Sequence, residues 1–229
     1  IMKVTKLLLI ALLSFCFFTA KAQWRLGAEA GIDLSSVDVI TNHTQIGSHG
    51  GLTADYAFKN RINLSTGIFH TMKGANTICA DDLGYEMFVR LGYLEVPTMI
   101  GYRIPVTSGI YLTPSVGAYF AWGINGYGEF EKSAINQTSN ESMNRTEWSN
   151  PFESHYYTTT ESERKLAYAF NRFDTGLRFG LNAEIRRVSM SFNYDLGLKD
   201  MWKGFMDAGL HHQLRNRNAT LAIGYKLQL

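Results

Sequence analysis

The chain has 229 residues, of which 45% are hydrophobic and 18% charged, with 21 glycines and two cysteines. These values exclude a low-complexity, collagen-like or disulfide-rich protein and fit one domain or two small ones. Without the three lysines of the N-terminal segment, 19 of the 22 basic residues remain against 20 acidic ones, so no excess of positive charge points to nucleic acid as a partner.

Residues 1–22 have the features of a signal peptide. Two lysines precede an apolar run from Leu7 to Ala20, and the small residues Ala20 and Ala22 occupy the positions that a signal peptidase recognises. The apolar run is shorter than the roughly 18–20 residues that span a bilayer as a helix. We therefore expect cleavage after Ala22, which leaves residues 23–229 as the mature domain.

From Trp24 onward, apolar and polar residues alternate in eight segments. Such alternation is typical of strands that have one apolar face. In chain order the predicted strands are Trp24–Leu34, Gly51–Phe58, Ile62–Ile68, Leu91–Arg103, Ile110–Ile124, Asp174–Ile185, Val188–Leu198 and Leu221–Leu229.

The connections between these strands alternate between short and long. The short ones are 59–61, 104–109 and 186–187, and the long ones are about 35–50, 73–90, 125–173 and 199–218. This pattern is typical of bacterial outer-membrane barrels, which have tight periplasmic turns and longer outer loops. No segment after residue 22 is long and apolar enough for a membrane helix. The sequence therefore predicts an all-β, eight-stranded antiparallel up-and-down transmembrane β-barrel in the cell outer membrane.

Periodicity alone does not say which face of the strands is outside, because a secreted ligand-binding barrel has its apolar face inside. The polar face combines glycines with charges of both signs, which suits a narrow lumen, and the apolar face carries aromatic rings near the strand ends, which suit bilayer interfaces. An eight-stranded barrel is just wide enough for side chains to fill it. We therefore predict a packed polar cluster in the lumen, with Asp33 on the same face. Its members are Arg25, Glu29, Asp55, Glu95, Arg103, Asp174, Arg178, Glu184, Asp195 and Lys226.

Two stretches of the sequence resemble a known family. Tyr93-Leu94-Glu95-Val96-Pro97 and the stretch from Tyr111 to Tyr119 resemble the central motif of the PorT-like outer-membrane β-barrel family of Bacteroidota. Later stretches, at 174–180, 194–198 and 221–229, are similar to the closing hairpin of that family. The resemblance implies an outer-membrane barrel and, for part of the family, an accessory role in protein export or envelope assembly.

The C-terminal strand contains a second motif. Gly224-x-x-Leu227-x-Leu229 is similar to the signal by which the barrel-assembly machinery recognises its clients. The resemblance implies that this machinery is a partner of the chain during insertion.

Candidate catalytic and metal-binding residues are few. His70 is placed near the outer end of the third strand, where it would form a rim site together with Ser or Asp from the loops. The pair His211-His212 lacks the three or four ligands of a zinc site, and Cys79 has no resolving cysteine in the mature chain. No nucleophile-elbow pattern accompanies these residues. We predict no catalytic residue, no metal and no cofactor.

These patterns together predict a non-enzymatic structural or interaction component of the cell envelope, or an accessory to protein export. Its expected partners are outer-membrane lipid and an envelope or export protein that contacts the outer loops, above all the segment 125–173; nucleic acid is not among them. Three other classes remain open at this point: a rim-active enzyme, a narrow channel and a secreted ligand-binding barrel.

Overall fold

The structure, a computed structural model, describes residues 24–38, 42–58, 60–79, 85–132, 146–148, 150–158, 164–168, 170–201 and 214–228. The predicted signal peptide, residues 1–22, lies outside the described residues. The same holds for the His211-His212 pair and for Leu229, the last residue of the predicted C-terminal signal.

Eight long antiparallel strands form one closed barrel. They are β1 (Trp24–Val37), β2 (Gln45–Ala57), β3 (Ile62–Cys79), β4 (Tyr85–Tyr102), β5 (Ile110–Lys132), β6 (Phe173–Ile185), β7 (Val188–Gly197) and β8 (Asn216–Gln228). Each strand pairs with the next along the chain, and the sheet closes where β8 pairs with β1, from Arg25 opposite Gln228 to Val37 opposite Asn216. The predicted eight-stranded up-and-down barrel is therefore confirmed.

The apolar face of every strand is on the outside of the barrel. In β6, for example, Leu177, Phe179 and Leu181 are 40–45% exposed, whereas Asp174 and Arg178 are buried. Successive side chains of a strand point to opposite faces, so a sequence that alternates between Leu and Arg places its charges in the lumen and its apolar groups outside. A barrel that is apolar on its outer face requires apolar surroundings. The alternative interpretation as a secreted ligand-binding barrel is therefore wrong.

Three neighbouring strands extend much further outward than the sequence predicts. β5 is predicted to end at Ile124 but continues to Lys132, and β3 and β4 extend beside it. Two short strands pair with this extension, Asn42–His43 with β3 and Thr146–Trp148 with β5. The alternation of apolar residues stops at the edge of the membrane because water lies beyond it, although backbone pairing continues. Much of the predicted loops at 73–90 and 125–173 is therefore strand.

Three further short strands complete the described secondary structure. Ile104–Thr107 pairs with the start of β5, and Ser154–Thr158 pairs with Arg164–Tyr168 in a separate hairpin. No helix in the described ranges is long and apolar enough to cross a membrane.

Candidate functional site

The lumen near the tight turns holds a network of ion pairs, called the lower network here, whose centre is Arg25 of β1. Its guanidinium lies 2.5 Å from Glu184 Oε2 and 3.6 Å from Asp55 Oδ2, and it donates a hydrogen bond of 2.9 Å to Asn63 Oδ1. Asp55 also accepts a hydrogen bond of 2.7 Å from Lys226 Nζ. These contacts join β1, β2, β3, β6 and β8 across the lumen.

Arg103 completes the lower network from the end of β4. Its guanidinium donates to Glu184 Oε1 at 2.6 Å and lies 3.6 Å from the ring centroid of Tyr111. Above it, the lumen contains a cavity of about 70 Å³ lined by polar side chains such as Thr53, Ser65 and Asn182. A cavity of this size fits a few water molecules.

A second group of charges, called the upper network here, surrounds the fully buried side chain of Lys73 on β3. Lys73 Nζ lies 2.7 Å from Glu95 Oε2, 3.4 Å from Asp195 Oδ2 and 3.7 Å from Asp174 Oδ2. Arg178 donates to Asp195 at 2.5 and 2.7 Å and also to Glu95. Two cations and three carboxylates thus meet in a part of the lumen where each side chain is at most 3% exposed.

Neutral groups complete the shell of the upper network. The hydroxyl of Tyr119 donates to Asp174 Oδ2 at 3.0 Å, and the amide of Asn216 donates to the same oxygen at 2.7 Å. Lys73 Nζ lies 4.0 Å from the centroid of the Tyr119 ring, within the range of a cation–π contact. These donors give Asp174 three positive or polar neighbours from three different strands.

His49 of β2 lies inside the barrel as well. Its Nε2 is 3.3 Å from Glu29 Oε1, its Nδ1 is 3.3 Å from the Thr71 hydroxyl, and its ring stacks on Phe69 with centroids 4.9 Å apart. The Nδ1 atom is also 3.8 Å from Asp33 Oδ1. The His49 side chain is only 1% exposed, so these neighbours shield its ring from solvent.

The ten residues of the predicted polar cluster all lie on the inward face and are buried or half-buried. Five belong to the lower network, four to the upper network, and Glu29 contacts His49. The sequence analysis missed Lys73 and His49, because both were assigned to loops. The available signal was the alternation itself: His49 lies two residues before Gly51 and Lys73 six residues after Gly67, both in phase with the inward-facing positions of the predicted strands.

The outer mouth of the lumen is filled by apolar side chains, called the outer plug here. Phe152, Phe170, Met201 and Leu214 come from the connections between strands and pack against inward-facing residues of the strand ends. The complete plug consists of Val37, Val89, Leu91, Tyr93, Tyr119, Ala121, Phe152, Phe170, Met201 and Leu214. The predicted outer loop at 125–173 is therefore not wholly outside the barrel, which corrects the sequence analysis.

Phe152 is the centre of the outer plug. Its ring meets the edge of the Tyr93 ring at a centroid distance of 5.5 Å, and it fills the space beside Gly123, where a Cβ atom would lie 2.3 Å from the ring. The Phe170 N–H donates to the Pro151 carbonyl at 3.1 Å, which fastens the plug segment to the chain that leads into β6. Glycine at position 123 therefore provides the socket for an aromatic ring.

The other candidate residues from the sequence analysis do not converge. His70 lies on the outward face of β3 opposite Leu94, nine residues before the strand ends at Cys79, and so not near its outer end as predicted. Two further histidines, His43 and His155, lie in two different short strands. Within the described residues, no three His, Cys, Asp or Glu side chains are arranged to hold a metal ion.

Comparison with known proteins places the chain among membrane barrels. Residues 19–203 match the family model described as outer membrane protein beta-barrel domain. Among solved structures, Ail, the attachment invasion locus protein of Yersinia pestis, is 13% identical with a TM-score of 0.41, and the similarity covers 90% of this chain and 99% of that one. Neisserial surface protein A is 11% identical with a TM-score of 0.42, covering 91% and 98% of the two chains. OprG from Pseudomonas aeruginosa is 12% identical with a TM-score of 0.40, covering 91% and 98%.

No curated protein sequence matches the chain. The structural similarities are too low to say anything about function. The family match concerns outer-membrane barrels in general, so the PorT-like assignment stays a prediction.

Proposed function

Because the chain belongs to the outer membrane protein beta-barrel domain family, we propose that it is a sealed, non-enzymatic barrel that presents its outer strand ends and loops to a protein partner of the cell envelope. The family match confirms the predicted location in the cell outer membrane. The observation that supports the proposal best is the closure of the lumen by two ion-pair networks and an apolar plug.

The lumen is closed at three successive levels, which argues against a channel. Near the periplasmic end, Arg25 forms ion pairs with Glu184 and Asp55. Further out, Lys73 lies within ion-pair distance of three carboxylates, and Phe152 covers the outer mouth. Between the two networks, the cavity of about 70 Å³ fits a few water molecules but no larger solute. A solute could pass only if buried ion pairs and packed rings separated, which costs several kcal/mol for each broken buried pair.

The extension of β3, β4 and β5 provides a surface for a partner. From Ile124 to Lys132, β5 continues for eight residues, which corresponds to about 26 Å at roughly 3.3 Å per residue. Paired strands hold their side chains in fixed positions, so binding a partner to them costs less conformational entropy than ordering a free loop would. We call this extension with its two short edge strands, Asn42–His43 and Thr146–Trp148, the outer sheet.

The resemblance of residues 93–119 to the PorT-like family favours a partner from protein export or envelope assembly. A non-enzymatic role is supported by the position of His49, whose ring is enclosed by Glu29, Thr71 and Phe69 inside the lumen. The remaining described histidines, His43, His70 and His155, lie on separate strands.

Site-specific cross-linking in the native membrane tests the proposed interaction. A photoreactive residue at Tyr127, on the exposed side of the outer sheet, should yield one defined protein adduct. The same residue at lipid-facing Leu181 is the matched control and should yield none. Equal adducts at both positions, or none at either, would contradict binding through the outer sheet.

Two further measurements test the sealed and non-enzymatic character. Purified protein in planar bilayers should show no sustained large conductance, and stable porin-like openings would refute the seal. A variant in which four candidate residues are replaced together should keep the cross-linking pattern and the folded gel migration, whereas loss of a measurable activity would favour a rim enzyme. The four residues are His70, Cys79, His211 and His212.

A further inference from the structure

Two of the three tight turns at the periplasmic end of the barrel are cationic. Arg61 lies in the turn between β2 and β3, and Arg186 and Arg187 form the turn between β6 and β7. The turns are neighbours along the rim, because the Arg103 N–H donates to the Arg61 carbonyl at 2.8 Å and the Arg186 N–H donates to the Gly109 carbonyl at 3.0 Å. None of the three tight-turn sequences contains Asp or Glu.

Two of these arginines occupy an unfavourable backbone conformation. The φ angle is 69° at Arg61 and 56° at Arg186, and in the described part of the chain no other residue except glycine has a positive φ. Contact between Cβ and the backbone makes this region cost a non-glycine residue about 1 kcal/mol, and hairpin turns of this kind favour Asn or Gly. Arginine at both positions therefore indicates a role for the side chain that the backbone alone does not explain.

The rim arginines also lack acidic partners. Among the described residues, no carboxylate lies within ion-pair distance of Arg61, Arg186 or Arg187. At the opposite rim, in contrast, Arg217 forms an ion pair of 2.8 Å with Asp38. The positive charge of the three tight-turn arginines is thus not compensated by any described carboxylate.

Apolar and aromatic side chains lie directly beside these charges. Arg187 donates a hydrogen bond of 3.4 Å to the hydroxyl of Tyr225, whose ring is 49% exposed on the lipid side. Phe58, directly after β2, and Tyr102, at the end of β4, are 45% and 47% exposed. Val106, in the short strand after β4, is 62% exposed. Interfacial aromatic rings mark the depth of the lipid headgroups, so the guanidinium groups lie at that depth too.

We propose that this periplasmic rim, made of Arg61, Arg186 and Arg187 with their aromatic neighbours, binds the phosphate groups of anionic phospholipids in the inner leaflet. Guanidinium matches phosphate through two parallel hydrogen bonds. A lipid surface also accounts for the exposed apolar tips, which an acidic soluble protein would leave uncovered. The rim thereby selects the lipids that surround the barrel, in addition to anchoring it.

Lipid selectivity in reconstituted vesicles tests this proposal. The full-length protein is placed in phosphatidylcholine vesicles that contain spin-labelled phosphatidylglycerol or spin-labelled phosphatidylcholine, and electron spin resonance gives the fraction of label immobilised at the barrel. We expect a roughly three- to tenfold preference for phosphatidylglycerol at low salt, which decreases as salt is added. Replacing Arg61, Arg186 and Arg187 together by Gln should bring the preference close to one.

Two matched variants separate charge at this rim from charge elsewhere. Lysine at the same three positions keeps the charge but loses the paired guanidinium hydrogen bonds, so its preference should lie between those of the wild type and the Gln variant. Replacing Arg90 and Lys199, which lie near the outer rim, by Gln should leave it largely unchanged. The proposal is overturned if the triple Gln variant keeps the wild-type preference or if the outer-rim variant loses as much.

Two further measurements distinguish anionic phospholipid from other ligands of the rim. Inorganic phosphate should weaken the preference no more than sodium chloride of equal ionic strength, and a larger effect would identify free phosphate as the ligand. Sedimentation with insoluble peptidoglycan in the absence of any lipid preference would assign the rim to the cell wall. If the triple variant fails to fold, the single variant Arg187→Gln, at a residue without positive φ, should still reduce the preference measurably, and an unchanged preference would refute the proposal.

Discussion

Replacing Lys73 by Met should lower the free energy of unfolding by about 3–5 kcal/mol. The Lys73 ammonium lies 2.7, 3.4 and 3.7 Å from the carboxylates of Glu95, Asp195 and Asp174, and its side chain is fully buried. At an effective dielectric constant of about 20, each attraction is worth about 4–6 kcal/mol before desolvation is subtracted. Loss of one partner from a buried network leaves the carboxylates uncompensated, for which about 3–5 kcal/mol is typical.

The assay is equilibrium unfolding in urea, in lipid vesicles, followed by tryptophan fluorescence. The matched control is Lys226→Met, because Lys226 Nζ also lies 2.7 Å from a carboxylate, that of Asp55, but lines the cavity. Asp55 keeps Arg25 at 3.6 Å and the cavity admits water beside it, so this variant should lose less than Lys73→Met, about 1–2 kcal/mol.

A double variant tests whether charge compensation is the cause. Glu95→Gln combined with Lys73→Met removes one negative and one positive charge, and it should recover part of the loss. The reasoning is refuted if Lys73→Met costs no more than the control at Lys226. It is also refuted if the double variant is no more stable than Lys73→Met alone.

Other regions of the barrel lead to further predictions. Leu181→Arg should cost about 2–4 kcal/mol in vesicles because Leu181 faces lipid, whereas equal stability would mean that the two faces are assigned the wrong way round. Phe152→Ala should cost about 3–5 kcal/mol and lower the temperature at which the unboiled gel band shifts, and an unshifted transition would show that the ring is not packed. Deleting residues 133–145 should leave the folded gel migration unchanged, whereas deleting 133–163 removes Phe152 and should destabilise the barrel; equal behaviour of the two deletions would contradict the plug.

The parts of the barrel inside the membrane were predictable from sequence. Where lipid covers one face and the lumen the other, every second residue must be apolar, so strands such as the one through Leu177 and Leu181 can be read directly. Outside the membrane this requirement disappears, and β5 continues to Lys132 without a periodic signal. Lys73 and His49 were missed for the same reason.

The pairing of charges within the lumen was not predictable from alternation. Alternation shows that Arg25 and Glu184 both point inward, but not that they meet, because that depends on how the strands are staggered around the closed barrel. Phe152 was missed for a different reason: a single aromatic residue in a polar segment does not produce an alternating pattern that could be recognised. Its socket, Gly123, is one of many glycines on the inward face.

The ion pairs of the lumen connect residues that are far apart along the chain. Arg25 and Glu184 are separated by 159 positions, and Lys226 and Asp55 by 171. Neither contact exists before the sheet has curved into a closed barrel, so a partly folded chain gains almost none of this stabilisation while it still bears the entropic cost of long-range ordering. The barrel should therefore fold and unfold as a single cooperative unit. Its lifetime in the membrane is then determined by the height of the barrier to opening rather than by any individual contact.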